Sequence, residues 1–214
     1  PRFRAGFDAN GFKLLGWMEV GFIQFFSNHP IRSLDEMRSS KFWMWEGDPL
    51  AAAFFAASEI HPIPLSITEV LTSLSTHLVD TVYASPLGAI ALQWASKVSY
   101  MSELPMADGI AGIIVARPFF DRLPADLQGL LTEVMARHAR DLVVATRRDN
   151  DTSMQVMKER GVEVTFDRGC LKPDEVATIQ ARAIDHLVGT LFSRAVLEEV
   201  QGDLAEARAT AHHP

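Results

Sequence analysis

KFWMWEGDPLA, residues 41–51, is the stretch from which the fold is read. Its first five residues alternate as a strand does: Phe42 and Met44 fall on one face, Trp43 and Trp45 on the other. An acid-Gly-Asp-Pro turn follows. Then comes PLAAAFFAAS, residues 49–58, a helical segment of small and apolar residues with proline in its first turn. Strand, turn and helix in direct succession are the repeating unit of an α/β protein. Trp43 presents a choice. In a parallel sheet covered on both faces, all four side chains are core. A ring near the carboxyl end of such a strand also sits where open α/β sheets bind ligands. The residues alone leave both readings open.

Working outward, FKLLGWMEVGF (residues 12–22) reads as a strand, and Ser33 with Glu36 forms a capping pair that opens a helix. HPIPLSI is extended, as its prolines dictate. Ser66 to Glu69 is a second capping box, with Val70, Leu71 and Leu74 at helical spacing after it. LVDTVYA reads as a strand, PLGAIALQWASKVSYM (residues 86–101) as a helix, and GIAGIIVA (residues 109–116) as a buried strand. From Pro124 to Arg160 a helical pattern runs unbroken and stops at Gly161. At 1.5 Å per residue such a helix is roughly 55 Å long, so it is expected to span two lobes or to bend. VEVTF is a last strand, and residues 173–209 are mostly helical. The fold class is therefore α/β with mainly parallel sheets.

Composition and motif content exclude several functions. Acids outnumber bases 27 to 20 over 214 residues, a formal charge of −7, which disfavours nucleic acid and anionic lipid as partners. No apolar run approaches the ~18 residues of a membrane span. The single Cys170 permits no disulfide framework. The seven histidines, His212 and His213 among them, are scattered and suggest no metal site. Glu46 and Asp48 are an acid pair that an enzyme or a cation site could use. Beside a glycine and a proline, they read as turn and helix cap. No G-x-S-x-G, H-E-x-x-H, Walker A or G-x-G-x-x-G sequence is present. The chain reads as non-enzymatic, with no catalytic residues, metal or cofactor.

From LLGWMEVGF onward, the order of segments resembles the solute-binding protein of a tripartite ATP-independent periplasmic (TRAP) transporter, of the DctP type. The resemblance rests on MEVGF, IRSLDEM, KFWMW, PLAAAFFAAS, HPIPLSITEVLTSLSTHLVD, FFDRLPADLQ and KERGVEVTF in that order. It implies a periplasmic-binding-protein-like fold of two lobes, with a long lobe-spanning helix and closure of the lobes on a solute. Residues 21–109 and 150–176 would form lobe two. Residues 1–20, 110–149 and 177–214 would form what is present of lobe one. The implied partners are a small-molecule solute and the membrane permease subunits, and the implied compartment is the periplasm.

Two departures from the family pattern shape the expected site. The family carries roughly another domain's worth of chain before this point. Lobe one is therefore expected to be incomplete and its exposed surface to favour pairing between chains; the opening PRFRAGF, with neither an initiator methionine nor a leader, fits either a removed signal peptide or a piece of a longer chain. Second, Trp43 stands where the family places a substrate-clamping arginine, and an indole offers one N–H and a large apolar face. The expected site is Trp43 for stacking and Trp45 as cleft wall, with Tyr83 and Ser85 for hydrogen bonds and Pro86 beside them. The expected solute is apolar or aromatic-faced. An organic acid held by another cation, Arg32, Arg38 or Arg117, is the alternative.

Overall fold

The computed structural model describes residues 2–167 and 169–211; His212 and His213 lie outside the described residues. In chain order the elements are α1 (Arg2–Ala9), β1 (Phe12–Ser27), α2 (Leu34–Ser39), β2 (Trp43–Trp45), α3 (Pro49–Ala57), β3 (Ile63–Leu65), α4 (Val70–Ser75), β4 (Thr81–Ala84) and α5 (Pro86–Ala91). There follow β5 (Tyr100–Ser102), β6 (Ala107–Ala116), α6 (Arg117–Phe120), α7 (Ala125–Glu159), β7 (Glu163–Thr165), α8 (Pro173–Leu187) and α9 (Arg194–Ala211). Packing groups them into two compact units. Unit 1 is residues 1–29 and 83–165, and unit 2 is residues 30–82 and 166–214. By this grouping, residues 21–29 and 83–109 fall with the N-terminal strand.

Unit 1 is built on β1. Its sheet runs β4-β1-β5-β7, with β6 also paired to β1. The long strand is antiparallel to β5 and to β6, while β5 and β7 are parallel. The sheet is thus mixed rather than mainly parallel. β1 extends to Ser27, beyond the span legible from alternation, and its last residues Gln24 to Ser27 are all buried. β6 is a strand as expected, but it is not buried: exposure alternates along it and reaches 67% at Ile110. The helix expected over residues 86–101 stops at Ala91, since Gln93 takes a left-handed φ of 64°, and Tyr100–Ser102 pairs as β5 instead. α7 spans 35 residues, about 52 Å at 1.5 Å per residue, and all of it belongs to unit 1. It packs along β1, where an added Cβ on Gly16 would lie 2.8 Å from Ala139 Cβ.

Unit 2 holds the parallel pair β2-β3, in register Trp43 with Ile63 and Trp45 with Leu65, and Phe42 bridges to Thr81. Asp48 caps α3, its carboxylate accepting from Leu50 N and Ala51 N, each at 3.0 Å. That is the cap role read from the sequence, with both bonds falling on Oδ1. Ser33 caps α2 by accepting from Glu36 N at 3.2 Å. Glu36 returns to Arg32 N at 2.6 Å, one residue before the cap. The core gathers Phe42, Trp43, Phe55, Val70 and Leu74, with the Phe42 and Phe55 rings 5.4 Å apart. α8 packs on α3, and Arg182 reaches Glu59 at 3.0 Å.

Candidate functional site

The five residues expected at the site fall into both units. In β2 burial changes along the strand rather than across it: Phe42 is fully buried, Trp43 is 2% exposed, Met44 is intermediate and Trp45 is 52% exposed. The Trp43 ring is core, and its Nε1–H donates to Leu65 O at 3.0 Å. The ring expected to stack on a solute is thus buried inside unit 2, with its donor satisfied there. Trp45 is the tryptophan of this strand that a solute can reach.

The other three sit in unit 1 around the start of α5. Tyr83 is half-buried in β4. Ser85 is 3% exposed, and its Oγ accepts from Gly88 N at 3.2 Å as the N-cap. Ser85→Ala is therefore expected to cost about 1 kcal/mol of stability through the lost cap, read as a lower urea midpoint. Pro86 follows at the first position of the helix and is buried.

Pro86 also lines a cavity of about 420 Å³ that alternation did not reveal. β1 contributes Glu19, Gly21, Phe22 and Gln24, β6 contributes Asp108, and α7 contributes Arg147, Asn150, Asp151 and Met154. The polar wall is organised by two contacts across the strand–helix packing. Arg147 donates to Glu19 Oε2 from Nε at 2.8 Å and from Nη2 at 2.7 Å. The hydrogen bond and charge of Glu19 raise the guanidinium pKa above its ordinary value, and the charge of Asp108 adds to this. Asn150 holds the other end. Its amide donates to Val20 O and Thr146 O at 3.0 Å each, and its Oδ1 accepts from Leu87 N at 3.0 Å. Gly21, at φ 106°, makes room for that amide.

Glu19 is nearly buried while Arg147 is largely exposed, so the pair is asymmetric. Arg147→Ala leaves a carboxylate facing burial without its cation. We expect it to lower the urea midpoint, and the double variant Glu19→Gln/Arg147→Ala to recover part of the loss. Equal midpoints for the single and double variants would contradict this.

Arg38 and Arg117 are committed elsewhere. Arg38 pairs with Asp35 at 3.0 Å and Glu59 at 3.5 Å, and Arg117 with Asp8 at 2.6 Å and Asp121 at 3.0 Å. Among the described residues the exposed Arg32 makes no such pair. Among the described residues, too, no group of three or more His, Cys, Asp or Glu is placed to hold a metal ion. No described helix is long and apolar enough to cross a membrane.

No curated protein matches the chain. Among solved structures, a TRAP periplasmic solute-binding protein of Chromohalobacter salexigens with bound D-glucuronate matches with a TM-score of 0.82 at 17% identity, covering 96% of this chain and 66% of that one. DctP7 of Bordetella pertussis, an extracytoplasmic solute receptor binding pyroglutamic acid, matches with a TM-score of 0.75 at 18% identity, covering 87% and 60%. A TRAP protein of Desulfovibrio salexigens with bound orotic acid gives 0.76 at 18% identity, with the same coverage of 87% and 60%. These likenesses show the fold, an α/β periplasmic-binding-protein architecture with a long helix. The chain spans about 60% of the length of DctP7. The family model described as bacterial extracellular solute-binding protein, family 7 (DctP) matches residues 2–173, most of the chain. The protein belongs to that family of solute-binding receptors, which are not enzymes.

Proposed function

We propose that this chain is part of the extracytoplasmic solute-binding component of a TRAP-type secondary transporter, which captures a small solute in the periplasm and delivers it to the membrane permease. The family match over residues 2–173 carries the reading. The fold likeness to receptors holding glucuronate, pyroglutamate and orotate supports it.

For the solute, the KFWMW strand supports an aromatic face, with Trp45 as the ring in reach and Trp43 as the core residue behind it. Stacking on Trp45 adds about 0.5–1.5 kcal/mol beyond area burial. An organic acid is the second reading, favoured by an exposed guanidinium at Arg32 that no described carboxylate occupies. A guanidinium is suited to pair bidentately with such an acid. Titration calorimetry of the purified protein with benzoate, glucuronate and an uncharged aromatic, repeated on Trp45→Ala and Arg32→Gln, separates the two. The aromatic reading expects roughly tenfold weaker binding in Trp45→Ala alone; the acid reading expects it in Arg32→Gln alone. Absence of saturable binding of any small molecule, with nothing small released on denaturing the purified protein, would contradict the solute-binding role. The pairing between chains that an incomplete lobe would favour is to be read from sedimentation.

A further inference from the structure

We propose that the unit 1 cavity lined by β1, β6 and α7 binds a small organic cation bearing a primary ammonium group. The charges of its wall point to a cation. Glu19, Asp108 and Asp151 face one cation, Arg147, and Arg147 is already bonded to Glu19 through two nitrogens. That leaves Asp108 and Asp151, neither of which forms a salt bridge among the described residues. An anion entering here meets surplus carboxylate; a cation meets acceptors.

A second, independent feature is Gln24. Its side chain lines the cavity, the residue is 4% exposed, and its Oε1 is buried with no hydrogen-bond donor. Buried amide oxygens are almost always paired, and leaving one without a donor costs about 1–3 kcal/mol. The terminal torsion of glutamine is broad, so the amide can turn toward a donor in the cavity at little cost. An ammonium group supplies three donors and no acceptor, which complements a wall of carboxylates and one amide oxygen. Phe22, Pro86 and Met154 supply apolar surface for a short methylene chain, and methionine adapts to irregular ligand shapes. A volume of about 420 Å³ lies within the range of small-molecule sites. The matching ligand is a short alkylamine or diamine. This inference does not depend on transport or on the solute at Trp45.

The test is titration calorimetry of the purified protein at low ionic strength with 1,4-diaminobutane, n-butylammonium chloride and sodium butyrate. Saturable binding of both amines and none of butyrate is expected, with affinity falling as salt rises. Asp151→Asn is exposed and isosteric, and Gln24→Met removes the unpaired oxygen, so both variants are expected to keep the fold. Each is expected to weaken 1,4-diaminobutane binding by about tenfold or more, the effect of losing a charge-assisted or buried hydrogen bond. Gln24→Met is also expected to melt no lower than the parent. No saturable binding of either amine, butyrate binding as tight as the amines, or undiminished amine affinity in both variants would overturn the proposal.

Discussion

Trp43→Ala is expected to lower stability by about 3–5 kcal/mol, the range for removing a large aromatic from a packed core. The ring is 2% exposed, and its removal also strips the donor from Leu65 O, which accepts from Nε1 at 3.0 Å. With a urea m-value of about 2 kcal/mol/M, the midpoint falls by roughly 2 M. Trp45→Ala, two residues along the same strand and 52% exposed, is expected to change stability by no more than about 0.5 kcal/mol. The contrast is diagnostic. Two tryptophans of one strand face serve different ends, one holding unit 2 together and one open to solvent. Comparable losses for the two variants would show that burial does not fall off along the strand as described.

Gly21→Ala is expected to be at least as damaging, at about 4 kcal/mol. The backbone there has φ 106°, a conformation that costs an L side chain about 1–3 kcal/mol. An added Cβ would also collide with Asn150 Nδ2 and lie 2.9 Å from its Cγ. That amide cannot step aside freely, because it is held by Val20 O, Thr146 O and Leu87 N. Each bond it loses costs about 1 kcal/mol. Gly47 supplies the control. Its φ is 80°, but a Cβ there meets nothing within 4 Å, so Gly47→Ala is expected to cost about 1 kcal/mol. The double variant Gly21→Ala/Asn150→Ala should be less destabilised than the sum of its singles, since the second change removes the collision. Strict additivity in urea melts would refute the steric account.

Local signals proved sufficient where a residue acts on its own neighbours. Pro124 and Gly161 bracket α7, and Gly161 takes the left-handed φ of 89° that ends a helix. Asp48 and Pro49 start α3 for the reasons legible in the string itself. What alternation could not give was the direction in which burial changes. β2 emerges from its core along its length, so Trp43 and Trp45 share a face and differ in burial. The turn at Gln93 was hidden because nothing in the side chain demands a positive φ, and glycine is the usual signal for one.

The cavity was the least legible feature, since Glu19 and Arg147 lie 128 residues apart. One local trace of it existed: Thr146, Asn150 and Ser153 form a polar stripe at helical spacing on α7, and all three are buried. Buried polar residues on the packed face of a long helix indicate partners across the packing, here Val20 and Leu87 for Asn150.

Membership of this chain in the capture component of a TRAP-type importer is open to a direct test, solute uptake into proteoliposomes carrying the permease subunits. A solute that binds the purified full gene product is supplied outside, with and without that protein. Uptake is expected to require the added protein, to rise with its concentration to saturation, and to fall when a variant with weakened solute binding replaces it. Uptake at the same rate without the protein, or none with a protein that demonstrably binds the solute, would contradict it.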